Sequence, residues 1–142
     1  MKIEFTKNAW EDFEYWIEND REIINKIRLE DANAKIIVMG DFNDNPTNSS
    51  IENLIKDDFY NPMQSLFSRA RGTLNYKNNW HLFDQIIFSK NFLETNKQQH
   101  SFKGAEIFDP EFLKVVKGKN RGKPFRTFIG PWYQGGFSDH FP

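Results

Sequence analysis

The spacing of hydrophobic residues changes along the first 56 positions. From about residue 8 to residue 29, apolar side chains recur near helical spacing, which predicts one or two amphipathic helices. The β-branched run at 35–39, which ends at Gly40, predicts a short buried strand. An Asn-Ser-Ser sequence at 48–50, followed by a glutamate and apolar residues, predicts a short helix to about residue 56.

Further strands are predicted in the middle of the chain. Residues 73–76 and 82–89 have the composition of strands, and the polar Lys-Asn-Asn at 77–79 separates them, which predicts a hairpin. A weaker strand is expected at 102–108. Helices and strands together indicate a protein of the α/β class.

Composition narrows the possible classes of protein. The chain has 142 residues, no cysteine, 38% hydrophobic residues and a net charge of −1, which suits one soluble globular domain. Disulfide scaffolds and cysteine-ligated zinc sites are excluded, and no apolar run approaches the roughly 20 residues of a membrane span. Because the first residues lack the pattern of a secretory signal, the default expectation is a cytoplasmic protein.

The charge is unevenly distributed. Residues 1–34 hold 5 basic and 9 acidic groups (−4), whereas residues 35–142 hold 14 and 11 (+3). Positions 112–138 contain no acidic residue, and positions 114–126, here called the basic loop, carry six cations. This loop is either a solvated surface or a contact for a phosphate backbone. The candidates for phosphate contact are Lys119, Arg121, Lys123 and Arg126.

Asp41 and Asn43 directly follow the predicted strand at 35–39. They should therefore emerge together at its carboxyl end, where α/β proteins usually place ligands. A carboxylate can bind a metal or accept a proton from water, and an amide can donate a hydrogen bond to a phosphoryl oxygen. The alternative is that both residues build an Asx turn before Pro46.

Asp84 lies at the edge of an apolar strand, and an acid at that position either marks the solvent end of a hairpin or orients a histidine. Asp139 and His140 are adjacent and follow two glycines, which we expect to be flexible. This pair is either a terminal turn or a site where an imidazole neutralises phosphoryl charge and an acid holds a divalent cation. We expect His81 and His100 to be surface residues.

Three motifs occur in a specific order: Gly-Asp-Phe-Asn-Asp-x-Pro at 40–46, Asp-Gln-Ile-Ile at 84–87 and Ser-Asp-His-x-Pro at 138–142. Together they resemble the endonuclease/exonuclease/phosphatase superfamily of Mg²⁺-dependent phosphodiesterases, and the likeness covers about residues 34–142. The resemblance implies half of a two-sheet α/β sandwich of the DNase I type. The inner face of this sheet would be exposed, which favours self-association.

The same resemblance implies roles for the motif residues. Asp41 would orient or deprotonate the attacking water, and Asn43 would hold the scissile phosphate. Asp84 would orient His140, which would stabilise the phosphoryl group in the transition state. Asp139 would be associated with Mg²⁺ or Mn²⁺. The substrate would be a phosphate ester, including nucleic acid as one option.

Members of this superfamily are normally longer and place other metal ligands in an N-terminal half. We therefore expect a truncated protein whose activity is weak or absent. In the family an apolar strand usually follows the Ser-Asp-His motif. Its absence leads us to expect fraying around His140.

Residues 1–29 show a different resemblance. Met-Lys-Ile-Glu-Phe-Thr at 1–6 and Trp-Glu-Asp-Phe-Glu-Tyr-Trp at 10–16 are similar to the opening of YoeB/Txe-type toxins. We therefore expect a toxin-like helical segment at 1–33 and the phosphodiesterase half at 34–142, and we expect helices of the first segment to cover part of the sheet. Two alternatives stay open: a toxin-antitoxin-type or nucleic-acid-binding module, and a non-functional fusion.

Overall fold

The computed structural model describes residues 22, 25, 31–95 and 98–142. Most of the predicted N-terminal helical region, together with the proposed cover of the sheet, lies outside these residues, although Glu22 and Asn25 are helical and exposed. The chain divides into two compact units, Met1–Ile36 and Ile37–Pro142. In the first unit, Asp31 accepts a hydrogen bond from the Ala34 N–H at 3.0 Å and closes a turn.

The second unit combines short strands with short helices. Its strands are β1 (Ile37–Asp41), β2 (Phe59–Tyr60), β3 (Leu74–Tyr76), β4 (Asn79–His81), β5 (Asp84–Ser89), β6 (Phe128–Ile129) and β7 (Trp132–Tyr133). Helix α1 spans Ser49–Ile55, and 3-10 helices span Pro62–Ser65, Lys90–Leu93 and Glu111–Leu113. This mixture confirms the α/β class and the short helix after residue 48, whereas the two-sheet sandwich stays a prediction.

The main sheet has three antiparallel strands in the order β1-β5-β2. Ile87 on β5 is fully buried, whereas Ile37, Met39 and Ile86 are exposed. A strand does form here, at Ile37–Asp41, but the prediction that it is buried was wrong. A continuous apolar run is buried on both faces only where both faces are covered, and the described residues leave the face that carries Ile37 and Met39 uncovered.

A two-residue turn closes the β3–β4 hairpin. Lys77 and Asn78 have positive φ values of 48° and 66°, which is the conformation of a type I′ turn. The hairpin partner of β3 is thus β4, and not the strand predicted at 82–89, which belongs to the main sheet as β5. The sequence prediction missed β4, because it assigned Asn79 to the turn and began the next strand at residue 82.

No strand forms at 102–108, contrary to the prediction. Backbone groups of this segment bind elsewhere: the Phe102 N–H donates to the Phe92 carbonyl at 2.7 Å, and Arg71 donates to the Ile107 carbonyl at 3.0 Å. The sequence analysis also missed the β6–β7 hairpin, whose four residues are all exposed.

A compact apolar cluster lies under the β3–β4 hairpin. It consists of Met63, Leu82, Ile107 and Phe141, all at most 5% exposed. The Trp80 ring stacks on the Phe141 ring with centroids 6.0 Å apart. This packing anchors the end of the chain to the middle of the sequence. Among the helices described, none has the length and apolar character required to cross a bilayer.

Candidate active site

Strand pairing brings the first two acidic candidates together. Asp41 is the last residue of β1 and Asp84 is the first residue of β5, and the two are direct partners in the antiparallel register. Directly paired residues on neighbouring strands project to the same face. The sheet therefore places two carboxylates side by side at one end of the β1–β5 strand pair.

His140 reaches these carboxylates because the segment that carries it is fixed on both sides. The Phe141 N–H donates to the Thr73 carbonyl at 2.8 Å, and the Phe141 side chain is 1% exposed. The His140 N–H donates to the Ser138 hydroxyl at 3.0 Å. The expectation of fraying was therefore wrong, since core packing of Phe141 supplies the anchor that we had expected from a following strand.

The imidazole lies between the two acids. His140 Nδ1 is 2.8 Å from Asp84 Oδ2 and 3.9 Å from Asp41 Oδ2. The hydrogen bond to Asp84 raises the pKa of His140 above its ordinary value, and the charges of Asp84, Asp41 and Asp139 act in the same direction, although burial opposes them. The arrangement thus favours an imidazolium that a carboxylate orients.

Asn43 is exposed and adopts a left-handed conformation, with φ at 53°. Its N–H donates to Asp41 Oδ1 at 2.9 Å, so the Asx turn considered for this segment is present. The turn leaves Asp41 Oδ2 directed at His140. A structural turn and a catalytic use of Asp41 are therefore compatible.

A buried polar network holds the loop that follows β1. Gln85 Nε2 donates to the Asp44 carbonyl at 2.7 Å, and Asn61 Nδ2 donates to Gln85 Oε1 at 2.7 Å. The Asp44 carboxylate accepts hydrogen bonds from Asn48 and Ser50 at the start of α1. Sequence reasoning assigned no role to Gln85 or Asn61, and the available signal was a polar residue inside the apolar β5 pattern.

Asn45 ties the same loop to the end of β4. Its Oδ1 accepts a hydrogen bond from the Leu82 N–H at 2.9 Å, and its Nδ2 lies 3.4 Å from His81 Nδ1. His81 also contacts the Phe83 ring at 4.9 Å and is half-buried, so the prediction that it is a surface residue was wrong. His100 is exposed, as expected.

Asp139 precedes His140 and is more exposed than the other two acids. Its Oδ2 lies 4.0 Å from an Arg126 guanidinium nitrogen. Gly136, in the same segment, approaches the backbone so closely that a Cβ there would lie 2.1 Å from the Phe125 carbonyl oxygen. This position is tightly packed, in contrast to the expectation of flexible glycines.

The cations of the basic loop do not form one surface. Lys119, Lys123 and Arg126 line a cavity of about 340 Å³, here called the basic pocket. Arg121 lines a different cavity of about 370 Å³ together with Arg71. The proposed phosphate contacts therefore fall into two groups, and only Arg126 contacts a residue of the acidic site.

A metal ion could be held by the acidic residues at this end of the strand pair. Asp41, Asp84 and His140 each offer one ligand atom, and these atoms lie within 4.8 Å of one another. Because Asp84 already binds the His140 Nδ1 and is less exposed, the carboxylate of this group most accessible to a hard cation is that of Asp41. Asp139, which the sequence analysis assigned to the metal, is not part of this group. Mg²⁺ prefers oxygen ligands and retains several waters, so this donor set fits such an ion.

Comparisons with known proteins identify the family. A model of the Endonuclease/Exonuclease/phosphatase family matches residues 16–142. No curated protein and no solved structure matches the chain. The toxin-like interpretation of residues 1–29 receives no support, and the family match begins within that segment. The chain belongs to the Endonuclease/Exonuclease/phosphatase family.

Proposed function

We propose that this chain is a divalent-metal-dependent hydrolase of phosphodiesters or phosphomonoesters. The observation that carries the proposal is the contact of one imidazole, that of His140, with the carboxylates of Asp84 at 2.8 Å and Asp41 at 3.9 Å. An oriented imidazolium beside a carboxylate is suited to stabilising negative charge on a phosphoryl oxygen while water attacks. Membership of the family supports the same class of reaction.

Each residue has a role in this proposal. Asp41 orients the attacking water or accepts its proton, and Asn43 donates a hydrogen bond to the scissile phosphate. Asp84 fixes the orientation of His140 through the 2.8 Å contact. The His140 imidazolium stabilises charge on the phosphoryl group in the transition state. Water attacks phosphorus directly, so no covalent enzyme intermediate is required.

In this proposal Asp41 would hold the divalent cation, with Asp139 as a further carboxylate ligand. When bound, Mg²⁺ or Mn²⁺ polarises the phosphoryl oxygens and offsets their charge. Arg126, 4.0 Å from Asp139, provides a cation beside that carboxylate.

The experiment is a comparison of hydrolysis rates of bis(p-nitrophenyl) phosphate with Mg²⁺, with Mn²⁺ and with EDTA. We expect metal-dependent turnover by the unaltered chain. Asp41→Asn and Asp84→Asn each remove one carboxylate and should lower the rate about 100-fold or more. Glu94→Gln, which removes an exposed acid directly after the 3-10 helix Lys90–Leu93, is the matched control. Equal rates for all three variants would refute the site assignment.

Self-association is a separate part of the proposal. Ile37, Met39 and Ile86 form an exposed apolar patch on the face of the main sheet that also carries the two acids. Exposed apolar patches on paired strands favour contact with another copy of the chain. No feature of the described residues favours a toxin-antitoxin function.

A further inference from the structure

The basic pocket lies beside the segment that carries Asp139 and His140, and apart from Arg126 its residues have no role in the proposed hydrolysis. Its wall and the active-site segment are hydrogen-bonded to each other: the Phe137 N–H donates to the Phe125 carbonyl at 2.7 Å. Arg126 lines the pocket and also lies 4.0 Å from Asp139. A ligand that occupied the pocket would therefore lie close to Asp139.

The charge of the pocket favours a ligand with more than one phosphate. Lys117, Lys119, Lys123 and Arg126 all line it, and no acidic residue occurs between positions 112 and 138. Lys123 Nζ donates to the neutral Asn78 Oδ1 at 2.8 Å, so its charge is not cancelled by that contact. Consecutive phosphates of a nucleic-acid backbone suit such a row of cations.

Asn75 indicates that the ligand also has hydrogen-bond donors. It lines the pocket from β3 and is 9% exposed. Its Oδ1 is the one buried side-chain nitrogen or oxygen among the described residues that has no hydrogen-bond partner. A buried acceptor without a partner is costly, and a rotation of the Asn75 side chain toward the pocket would let a ligand N–H or O–H satisfy it. A phosphate backbone alone does not supply that donor, whereas a nucleobase does.

The β6–β7 hairpin adds an aromatic surface at the rim. Ile129 lines the pocket and is the direct partner of Trp132 in the antiparallel register. Directly paired residues share a face, so Trp132 lies on the pocket side of the hairpin, where it is 73% exposed. Tyr133 pairs with Phe128 and lies on the opposite face. An exposed indole beside cations is a stacking platform for an unpaired base.

We propose that the basic pocket is a nucleotide subsite for an unpaired nucleic-acid strand, with cations on the phosphates, Asn75 at the base edge and Trp132 stacked on the base. This inference rests on the proposed function and names its substrate class. A membrane surface would contact the aromatic hairpin but would leave the concave pocket and its unpartnered amide oxygen unused. The observations therefore favour a nucleic-acid strand.

The test is binding of a fluorescein-labelled ten-nucleotide single-stranded DNA to the full chain in EDTA, followed by fluorescence anisotropy. EDTA prevents metal-dependent cleavage, so this measurement is independent of turnover. Trp132→Ala should weaken binding about 5- to 100-fold, and Trp132→Phe should retain most of it. Tyr133→Ala, on the opposite face of the hairpin, is the matched aromatic control and should change affinity less than twofold.

A second measurement examines the cations. Lys119→Gln should lower affinity and reduce the slope of log affinity against log salt by about one, whereas Lys103→Gln, a cation outside the pocket, should leave both unchanged. Thermal unfolding followed by circular dichroism confirms that each variant is folded.

Three results would overturn the subsite. The first is unchanged DNA affinity in folded Trp132→Ala and Lys119→Gln. The second is equal affinity for a blunt duplex of the same sequence. The third is co-sedimentation with phosphatidylcholine–phosphatidylserine vesicles that depends on Trp132 while DNA binding does not, which would indicate a membrane contact. If the unaltered chain binds the DNA as expected but shows no metal-dependent hydrolysis, only the proposed function is refuted.

Discussion

Asp41 and Asp84 are direct partners at the edge of an antiparallel sheet, with their carboxylates on one face. Like charges at such positions repel and destabilise a strand pair unless a cation lies between them. His140 occupies that position, with its Nδ1 within 4.0 Å of both acids. The same contact stabilises the strand pair and prepares the imidazole for chemistry.

The first prediction concerns the protonation of His140. Because the hydrogen bond to Asp84 is the main cause of its raised pKa, Asp84→Asn should lower the His140 pKa relative to the unaltered chain. The measurement is an NMR titration of histidine ring protons in metal-free buffer. Glu94→Gln, which removes an exposed acid, is the control variant and should leave the His140 titration as it is in the unaltered chain. An unchanged His140 titration would contradict the hydrogen bond.

A second prediction concerns stability in acid. Burial would raise the pKa of Asp109, but its contacts with Arg71 at 2.6 Å and Lys114 at 3.1 Å outweigh it, and the pKa is lowered. A lowered folded-state pKa stabilises the fold above the unfolded value, about 4, and this contribution is lost as pH falls through the folded-state pKa.

Asp109→Asn should therefore reduce the acid dependence of the free energy of unfolding, measured by urea denaturation from pH 6 down to about pH 3. Glu106→Gln removes an exposed acid nearby and should preserve the acid dependence of the unaltered chain. The ion-pair explanation fails if both variants lose stability in acid as steeply as the parent.

The third prediction concerns the backbone approach at Gly136. A Cβ at this position would lie 2.1 Å from the Phe125 carbonyl oxygen, so the His140 segment must shift in Gly136→Ala. We expect a loss of about 1–3 kcal/mol in the free energy of unfolding. Gly104→Ala is the control, because nothing lies within 4 Å of its Cβ and its φ is not positive. If Gly136→Ala and Gly104→Ala are equally stable, the close approach to the Phe125 carbonyl does not require glycine at position 136.

The fourth prediction concerns the anchor of His140. Phe141 is 1% exposed, and Phe141→Ala should cost about 3–5 kcal/mol of unfolding free energy through the cavity it leaves. Phe112→Ala, at a residue that is 60% exposed, should cost much less. Urea denaturation measures both. Phe141→Leu keeps much of the packing, so the fold should persist. The His140 pKa, measured by NMR titration, should be lower in this variant than in the unaltered chain because the hydrogen bond to Asp84 is weakened.

The fifth prediction concerns the exposed face of the sheet. Met39→Lys places a charge in the apolar patch and should shift the chain toward monomer in light scattering at high protein concentration. Val116→Lys adds the same charge at another exposed apolar position and should leave the assembly unchanged. A monodisperse monomer for the unaltered chain would refute self-association.

Much of the acidic site could be predicted from the sequence because its residues occur in short motifs. A carboxylate beside an apolar strand pattern is expected near a strand end, which is why Asp41 and Asp84 could each be placed at the end of its own strand. The meeting of these two ends depends on the pairing of β1 with β5, which the sequence does not show. The anchoring of His140 could not be predicted, because it depends on Phe141 packing against Leu82 and Ile107, which are distant in sequence.

Other features depend on tertiary context. The exposure of β1 depends on whether another element covers the face that carries Ile37 and Met39, and a hydrophobic run does not contain that information. The β6–β7 hairpin has only two residues per strand, too few for alternation to be visible. By contrast, the Lys77–Asn78 turn had a signal, since asparagine tolerates positive φ, and a two-residue turn there would have predicted β4.

The most direct test of the hydrolytic site is the rate at which His140→Gln hydrolyses bis(p-nitrophenyl) phosphate in Mg²⁺ or Mn²⁺, compared with the unaltered chain and with His100→Gln. We predict that His140→Gln lowers the metal-dependent rate about 100-fold or more, that EDTA abolishes turnover by the unaltered chain, and that His100→Gln retains the full rate. A folded His140→Gln variant that turns over as fast as the unaltered chain would contradict the account.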